Sequence, residues 1–303
     1  MLSVRPDFYD DFHCLASACR RSCCVGWEID VDEDTLQYYQ RIPGKLGNEL
    51  RRQIETKPTP HFRLTADERC PFLRPDGLCR LICELGEDSL CDICALHPRF
   101  FNDYPGRTEM GLGLCCEEAA RLLTEGGGPL RFLTESDGEG DESPTPLLTL
   151  REKIFALLSD ASRSLTARMD SALALMGQCL PPFDAKAAVS FFLTLERMDE
   201  DWSKLLETLG ARPLPELEPR LSSTRYMRIA AYLVYRHFAS AESAHDAAAR
   251  LQFCFLATRL VCALEPHSAD ALCLFSAEIE YSDENVEKIC LWLANQKQCF
   301  TNW

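Results

Sequence analysis

The stretch from Tyr226 to Phe238, YMRIAAYLVYRHF, carries apolar and aromatic residues around most of a helical circumference and has none of the alternation a strand requires. A helix without a polar stripe has no face to give to water, so this segment predicts a central, buried helix with others packed around it. The neighbouring sequence reads the same way. Leu150, Ile154, Leu157, Leu158, Ala161 and Leu165 recur three and four residues apart, which predicts one helix from Leu147 that continues towards Met176 and is ended by Pro181 and Pro182. Further helices are expected near Asp184, Ser222, Ser243, Ser268 and Ser282, each a capping residue shortly before an apolar-periodic stretch. With no alternating segment after Leu147 and no internal repeat, residues 147–303 are expected to form an all-α helical bundle.

Residues 1–125 have a different texture, rich in cysteine, proline and turn signals. Three helices are expected there: TLQYYQRI after Asp32, capped by Asp34; a second from Asn48 to Ile54; and EEAARLLTE, with Glu117 and Glu118 in its first turn and Gly126 as its stop. The remainder reads as loops. From Gly126 to Pro146 the chain passes through GGGP, a short apolar LRFL and the acidic ESDGEGDESPTP, which predicts a mobile linker. The expected fold is therefore mainly α: an irregular cysteine-rich domain over 1–125, a Gly-rich acidic linker over 126–146 and a helical domain over 147–303.

The 303 residues include 32 Lys plus Arg against 47 Asp plus Glu, a net charge of −15. That balance argues against nucleic acid or an anionic membrane as partner and favours a basic one. No apolar run approaches the roughly 18 residues of a membrane span, and the opening MLSVRPDFYDDFHC lacks the apolar core of a signal peptide, so a cytoplasmic protein is expected. In a reducing compartment the odd total of 17 cysteines argues against a disulfide framework. Eleven of them lie within residues 1–116, grouped as metal ligands are, and close pairs such as Cys91-Asp-Ile-Cys94 return two soft sulfurs to one centre. The other six, Cys179, Cys254, Cys262, Cys273, Cys290 and Cys299, stand among apolar residues and read as core fillers.

The string Phe12-x-Cys14-x4-Cys19-x3-Cys23-Cys24-x-Gly26-Trp27 is followed by Cys70-Pro71-Phe72-Leu73, Gly77-Leu78-Cys79, Leu85-Gly86, Leu90-Cys91-x2-Cys94, Pro98-Arg99 and Cys116-x-Glu118-Ala119. In order, spacing and flanking residues this resembles the flagellin lysine-N-methylase family, which is related to small cysteine-cluster proteins described as zinc or iron chelators. Carried over position by position, the family's cysteines fall on Cys14, Cys19, Cys23, Cys24, Cys70, Cys79, Cys91, Cys94 and Cys116. The chain departs from the pattern at Ile82 and His97, where aromatic residues are usual, and at Cys115 and Glu117, which flank the last cysteine. Cys83 and Cys115 are thus additional thiols, and the spacing of His97 from Cys94 also suits a ligand.

Adjacent residues such as Cys23 and Cys24 tend to direct their side chains apart, so both rarely serve one tetrahedral ion. Nine candidates then point to one four-thiolate centre plus cysteines that are either spare or serve a second centre. A [4Fe–4S] cluster is the expected centre and zinc the alternative. The CxxxCxxC signature of radical S-adenosylmethionine enzymes is absent, because Gly26 occupies its third place.

The resemblance implies methyl transfer to lysine amines of flagellin, with S-adenosylmethionine as donor. Trp27 is a candidate aromatic face for a sulfonium, with Tyr38 and Tyr39 beside it, and Arg99 and Glu109 are candidate polar contacts to the donor. For Trp27, Tyr38 and Tyr39 the alternative is ordinary packing, and for Arg99 a structural ion pair. Met110-Gly-Leu-Gly-Leu114 lacks the strand and third glycine of a nucleotide fingerprint and reads as a tight backbone passage. The competing function is a non-enzymatic iron–sulfur or zinc-binding module that senses redox state or binds a partner.

Overall fold

The computed structural model describes residues 1–136, 144–211, 213, 216–264 and 269–295. It is mainly α, with fourteen α-helices and six short strands among the described residues. The chain forms two compact units that do not follow one another in sequence: one comprises Met1–Phe12, Phe101–Cys115 and Ala119–Trp303, the other His13–Phe100 with Cys116–Glu118.

The core of the first unit is the helix Thr224–His237, and from Tyr226 to Phe238 every residue but Arg236 is buried, as its apolar circumference demands. It packs against Ala244–Leu264 and Pro146–Ser159. Ala244–Leu264 is long and apolar enough to cross a bilayer, with a mean hydropathy of 1.4, but 89% of that window is buried inside the molecule, as in a core helix. Cys254, Cys262 and Cys273 are core residues, Cys179 and Cys290 are half-buried, and Cys299 lies outside the described residues.

Sequence reading missed a four-stranded sheet, ordered Arg99–Tyr104, Arg107–Leu112, Leu2–Pro6, Phe132–Ser136. Leu2–Pro6 runs parallel to Arg107–Leu112 and antiparallel to Phe132–Ser136. These strands are short, and two tyrosines of the central helix bind their backbones. The Tyr232 hydroxyl accepts from the Leu112 N–H at 2.6 Å and lies 2.7 Å from the Leu112 carbonyl, while the Tyr235 hydroxyl lies 2.9 and 3.0 Å from the carbonyls of Val4 and Met110. Phe132 stacks between Phe155 and Tyr235. Glu135 and Ser136, expected in the mobile linker, belong to an edge strand, where Glu135 pairs with Arg5 at 2.6 Å; Asp137, Glu139, Asp141 and Glu142 lie outside the described residues. Met110–Leu112 is likewise strand, which corrects the reading of that segment as strandless.

Several helix boundaries also differ. The helix expected to run from Leu147 towards Met176 is two, Pro146–Ser159 and Leu165–Ala174, because the Ser164 hydroxyl caps a fresh start by accepting from the Ala167 N–H. Asp184 caps Ala185–Phe192 as expected, and helices begin at Thr224, Ala244 and Asp283. The start near Ser268 lies outside the described residues, and Asp270–Phe275 follows it. Glu200–Ala211 and Leu217–Leu221 were not foreseen. Glu117–Glu125 ends where Gly126 begins; a Cβ there would meet the buried Arg228 guanidinium at 2.4 Å, so the glycine admits an arginine that donates to the Leu123 carbonyl and to Asp7.

Candidate metal centre

The second unit is built around thiols. Its first helix, Glu33–Arg41, is capped by Asp32 and not by Asp34: Oδ1 of Asp32 accepts from the Thr35 N–H at 2.8 Å, and Oδ2 accepts from the Asp92 N–H at 3.0 Å. One carboxylate therefore fixes both this helix and the start of the CxxC turn, where Cys91 is the N-cap of Asp92–Leu96. Gly44–Gln53 is the second helix, starting earlier than Asn48, and Cys79 stands at the N-cap position of a third, Arg80–Leu85, without a side-chain capping bond. Gly77 precedes it with φ of +80°, and a Cβ would crowd Ser17 at 3.3 Å, which explains the glycine of the Gly-Leu-Cys motif.

Five cysteines from distant points of this unit meet in one apolar cluster. Cys70 and Cys91 are buried in it beside Phe72, Leu81 and Tyr39, and Cys24, Cys79 and Cys94 pack against them. The backbone sets this up: the Cys70 N–H donates to the Cys24 carbonyl at 2.8 Å, Leu73 bridges Cys79, and the Cys94 N–H donates to the Cys91 carbonyl at 2.9 Å. Tyr39, a candidate aromatic face from sequence, is instead core, its hydroxyl donating to the Ser89 carbonyl at 2.7 Å, whereas Tyr38 is exposed.

The thiols differ in acidity. The Cys94 thiol donates to Cys91, which pushes Cys94 up and Cys91 down, and Cys23 does the same to Cys24, holding Cys24 at about 7. Burial raises Cys70 to about 12 despite an N–H from Phe72, and burial likewise raises Cys79. Two hydrogen-bonded thiol pairs, each with one sulfur made more acidic, are suited in donor chemistry to a soft metal. Among the described residues no three His, Cys, Asp or Glu side chains are already gathered at the spacing of a single ion.

The remaining candidate ligands, Cys14, Cys19, Cys23 and Cys116, form a separate group. Cys23 is in electrostatic contact with Cys14 and Cys116, and Cys19 with Cys14. Cys83 is exposed, and His97 is half-buried with its imidazole pushed down by burial. Trp27 and Arg99 belong to this unit and are half-buried. Glu109 does not: it lies in the first unit, fully buried, accepting from Arg107 at 2.6 Å and from Arg151 through both oxygens. A carboxylate saturated by two guanidiniums is a structural anchor, which corrects its reading as a donor contact. Asp32 and Glu117 are the positioning residues that motif reading passed over; the signal for Asp32 was its place one residue before a helical pattern.

No family model matches the chain, and no solved structure matches it. Among curated relatives, the lysine-N-methylases of Salmonella typhimurium and Salmonella choleraesuis are each 26% identical over 161 residues, 51% of this chain and 40% of theirs. The flagellar biosynthetic protein FliU of Salmonella muenchen is 30% identical over 130 residues, 40% of this chain and 77% of that protein. The match thus spans less than half the length of the two lysine-N-methylases.

Proposed function

The chain belongs to the flagellin lysine-N-methylase family, and from that premise we propose that it transfers methyl groups from S-adenosylmethionine to lysine Nζ atoms of flagellin, with a thiolate-held metal centre organising the cysteine-rich unit. The observation that carries the metal part is the meeting of Cys24, Cys70, Cys79, Cys91 and Cys94, all of them motif positions, in one enclosed cluster. Four of these thiols hold a [4Fe–4S] cluster in this reading, with zinc as the alternative. One feature supports the wider cubane: five sulfurs from four chain segments are available to it. When bound, the cluster supplies metal–thiolate bonds that cross-link the segments carrying Cys24, Cys70, Cys79 and the Cys91–Cys94 turn, where the chain has few long helices to hold it.

For transfer, the lysine must present a neutral amine, although its ordinary pKa is about 10.4, so a desolvating surface or a nearby carboxylate has to take its proton. S-adenosylmethionine supplies a sulfonium methyl when bound. Trp27 is assigned to it as an aromatic face and Arg99 as a partner for its carboxylate; holding the methyl in line with the amine is a positioning task. A cytoplasmic location completes the reading, since it keeps the thiols reduced.

The second reading, a redox-sensing metal module, draws on the two thiol pairs, Cys23 with Cys24 and Cys91 with Cys94. Anaerobically purified, metal-replete protein incubated with S-adenosylmethionine and unmodified flagellin separates the two. Methyl-sized mass steps on flagellin lysines support the enzyme; no steps, together with partner binding that changes on oxidation, support the module.

A further inference from the structure

We propose that the open edge of the strand Phe132–Ser136 takes an extended segment of the protein substrate, which joins the sheet as an added strand and carries an apolar residue two positions from a lysine or arginine.

Phe132–Ser136 ends the four-stranded sheet, with Leu2–Pro6 on one side and no strand on the other among the described residues. The register fixes which of its backbone groups face outward. Pro6, which has no N–H, stands opposite Phe132, and at the next pair the Asp7 N–H donates to the Arg131 carbonyl at 2.9 Å. Hydrogen-bonded pairs therefore recur at Arg5 with Leu133 and at Ser3 with Glu135, and Phe132 and Thr134 point their N–H and C=O groups away from Leu2–Pro6. Neither backbone finds another partner among the described residues, and the strand carries no proline or lysine to block pairing.

The side chains define what an added strand carries. Phe132 turns to the core, stacked between Phe155 and Tyr235, so Leu133 and Glu135 lie on the opposite face. Leu133 is 40% exposed. The Glu135 carboxylate shares the Arg5 guanidinium with Asp10, at 2.6 and 2.9 Å, and both acidic side chains are more than half exposed, so negative charge is left over beside the edge. An added strand places alternate side chains on this face, one against Leu133 and the next against Glu135, and the complement is an apolar residue two positions from a cation. A second copy paired about Thr134 would instead set Leu133 against Glu135 and leave that charge unmet. The occupant rests on the methyl-transfer reading; the open edge does not.

The test adds monomeric, unmodified flagellin to the full-length protein and follows hydrogen exchange and binding. Peptides covering 132–136 are expected to exchange more slowly with flagellin present, as the outward N–H groups gain acceptors. Thr134→Pro removes an outward N–H and no bond to Leu2–Pro6, so it is expected to keep the fold, weaken flagellin binding about tenfold and raise KM for methylation by a like factor at unchanged kcat. Leu133→Lys, at an exposed side chain, sets a cation against the basic segment and is expected to weaken binding likewise; it decides should Thr134→Pro fail to fold. Exchange and binding left unaltered while flagellin is methylated would overturn the docking site and leave methyl transfer standing. Wild-type protein that neither binds nor methylates flagellin overturns both. Protection that appears without flagellin as protein concentration rises assigns the edge to a second copy and overturns the substrate as its occupant.

Discussion

Cys23 and Cys24 are consecutive in the chain and their thiols are in hydrogen-bonding contact, Cys23 donating, yet each belongs to a different group of sulfurs. Cys24 packs on the enclosed cluster with Cys70, Cys79, Cys91 and Cys94, whereas Cys23 faces Cys14 and Cys116. Adjacent side chains diverge enough to face different groups and remain close enough to share a hydrogen bond. Cys24→Ser is therefore expected to lower the metal content of the purified protein, and Cys23→Ser to spare it. Equal metal losses in the two variants would contradict the assignment of the centre to the enclosed cluster.

Glu109 and Arg151 form a fully buried ion pair, supported by Arg107 and by the Arg151 guanidinium lying over the rings of Phe155 and Tyr235. Removing one partner leaves an uncompensated charge, so Glu109→Gln is expected to destabilise the helical unit by about 3–5 kcal/mol, while Glu109→Leu combined with Arg151→Met recovers most of the loss. Urea midpoints of the two variants check this. A Glu109→Gln protein as stable as wild type would show that the pair is not what holds the helix to the sheet.

Glu280 gives the stability a defined acid limb. Burial alone would raise its pKa, but Arg236 at 3.5 Å and His237 at 2.7 Å outweigh it and hold the carboxyl at about 2, against an ordinary 4.5. A depressed carboxyl stabilises the folded state above its unfolded pKa and loses that contribution as pH falls through the folded one. The expected loss between pH 4.5 and 2 is on the order of 3 kcal/mol. Glu280→Gln should start less stable at neutral pH and show a flatter urea midpoint over that interval; an unchanged slope would remove Glu280 from the account.

The helical half was legible because burial and period coincide there: the segment from Tyr226 to Phe238 is buried almost throughout, as its composition requires. The sheet was not, because Leu2–Pro6 and Arg107–Leu112 carry Arg5, Arg107 and Glu109 in positions that only a tertiary network can satisfy. Likewise, the nine motif cysteines could be named from spacing, but their division into two groups depends on backbone contacts between Cys24 and Cys70 and on the Arg20–Glu117 latch, which join residues far apart in the chain. Glu109 was misread for the same reason: a lone acidic residue in sequence does not announce two arginine partners.

Residues 1–125 carry 15 basic and 22 acidic side chains and the remainder 17 and 25, so both parts of the sequence attract a lysine-bearing surface. If flagellin is steered by that field, the apparent second-order rate of methylation falls as salt rises from low to physiological strength, while turnover at saturating flagellin changes less. Initial rates at several ionic strengths test this, and a salt-independent rate would confine the acidity to a role in solubility.

The most direct measurement is isotopic. Anaerobically purified protein is incubated with unmodified flagellin and S-adenosylmethionine deuterated in its methyl group, and flagellin peptides are then sequenced by mass spectrometry. Deuterated methyl groups on lysine Nζ, absent when the metal is stripped beforehand, are the predicted result; flagellin lysines left unlabelled by metal-replete protein would contradict it.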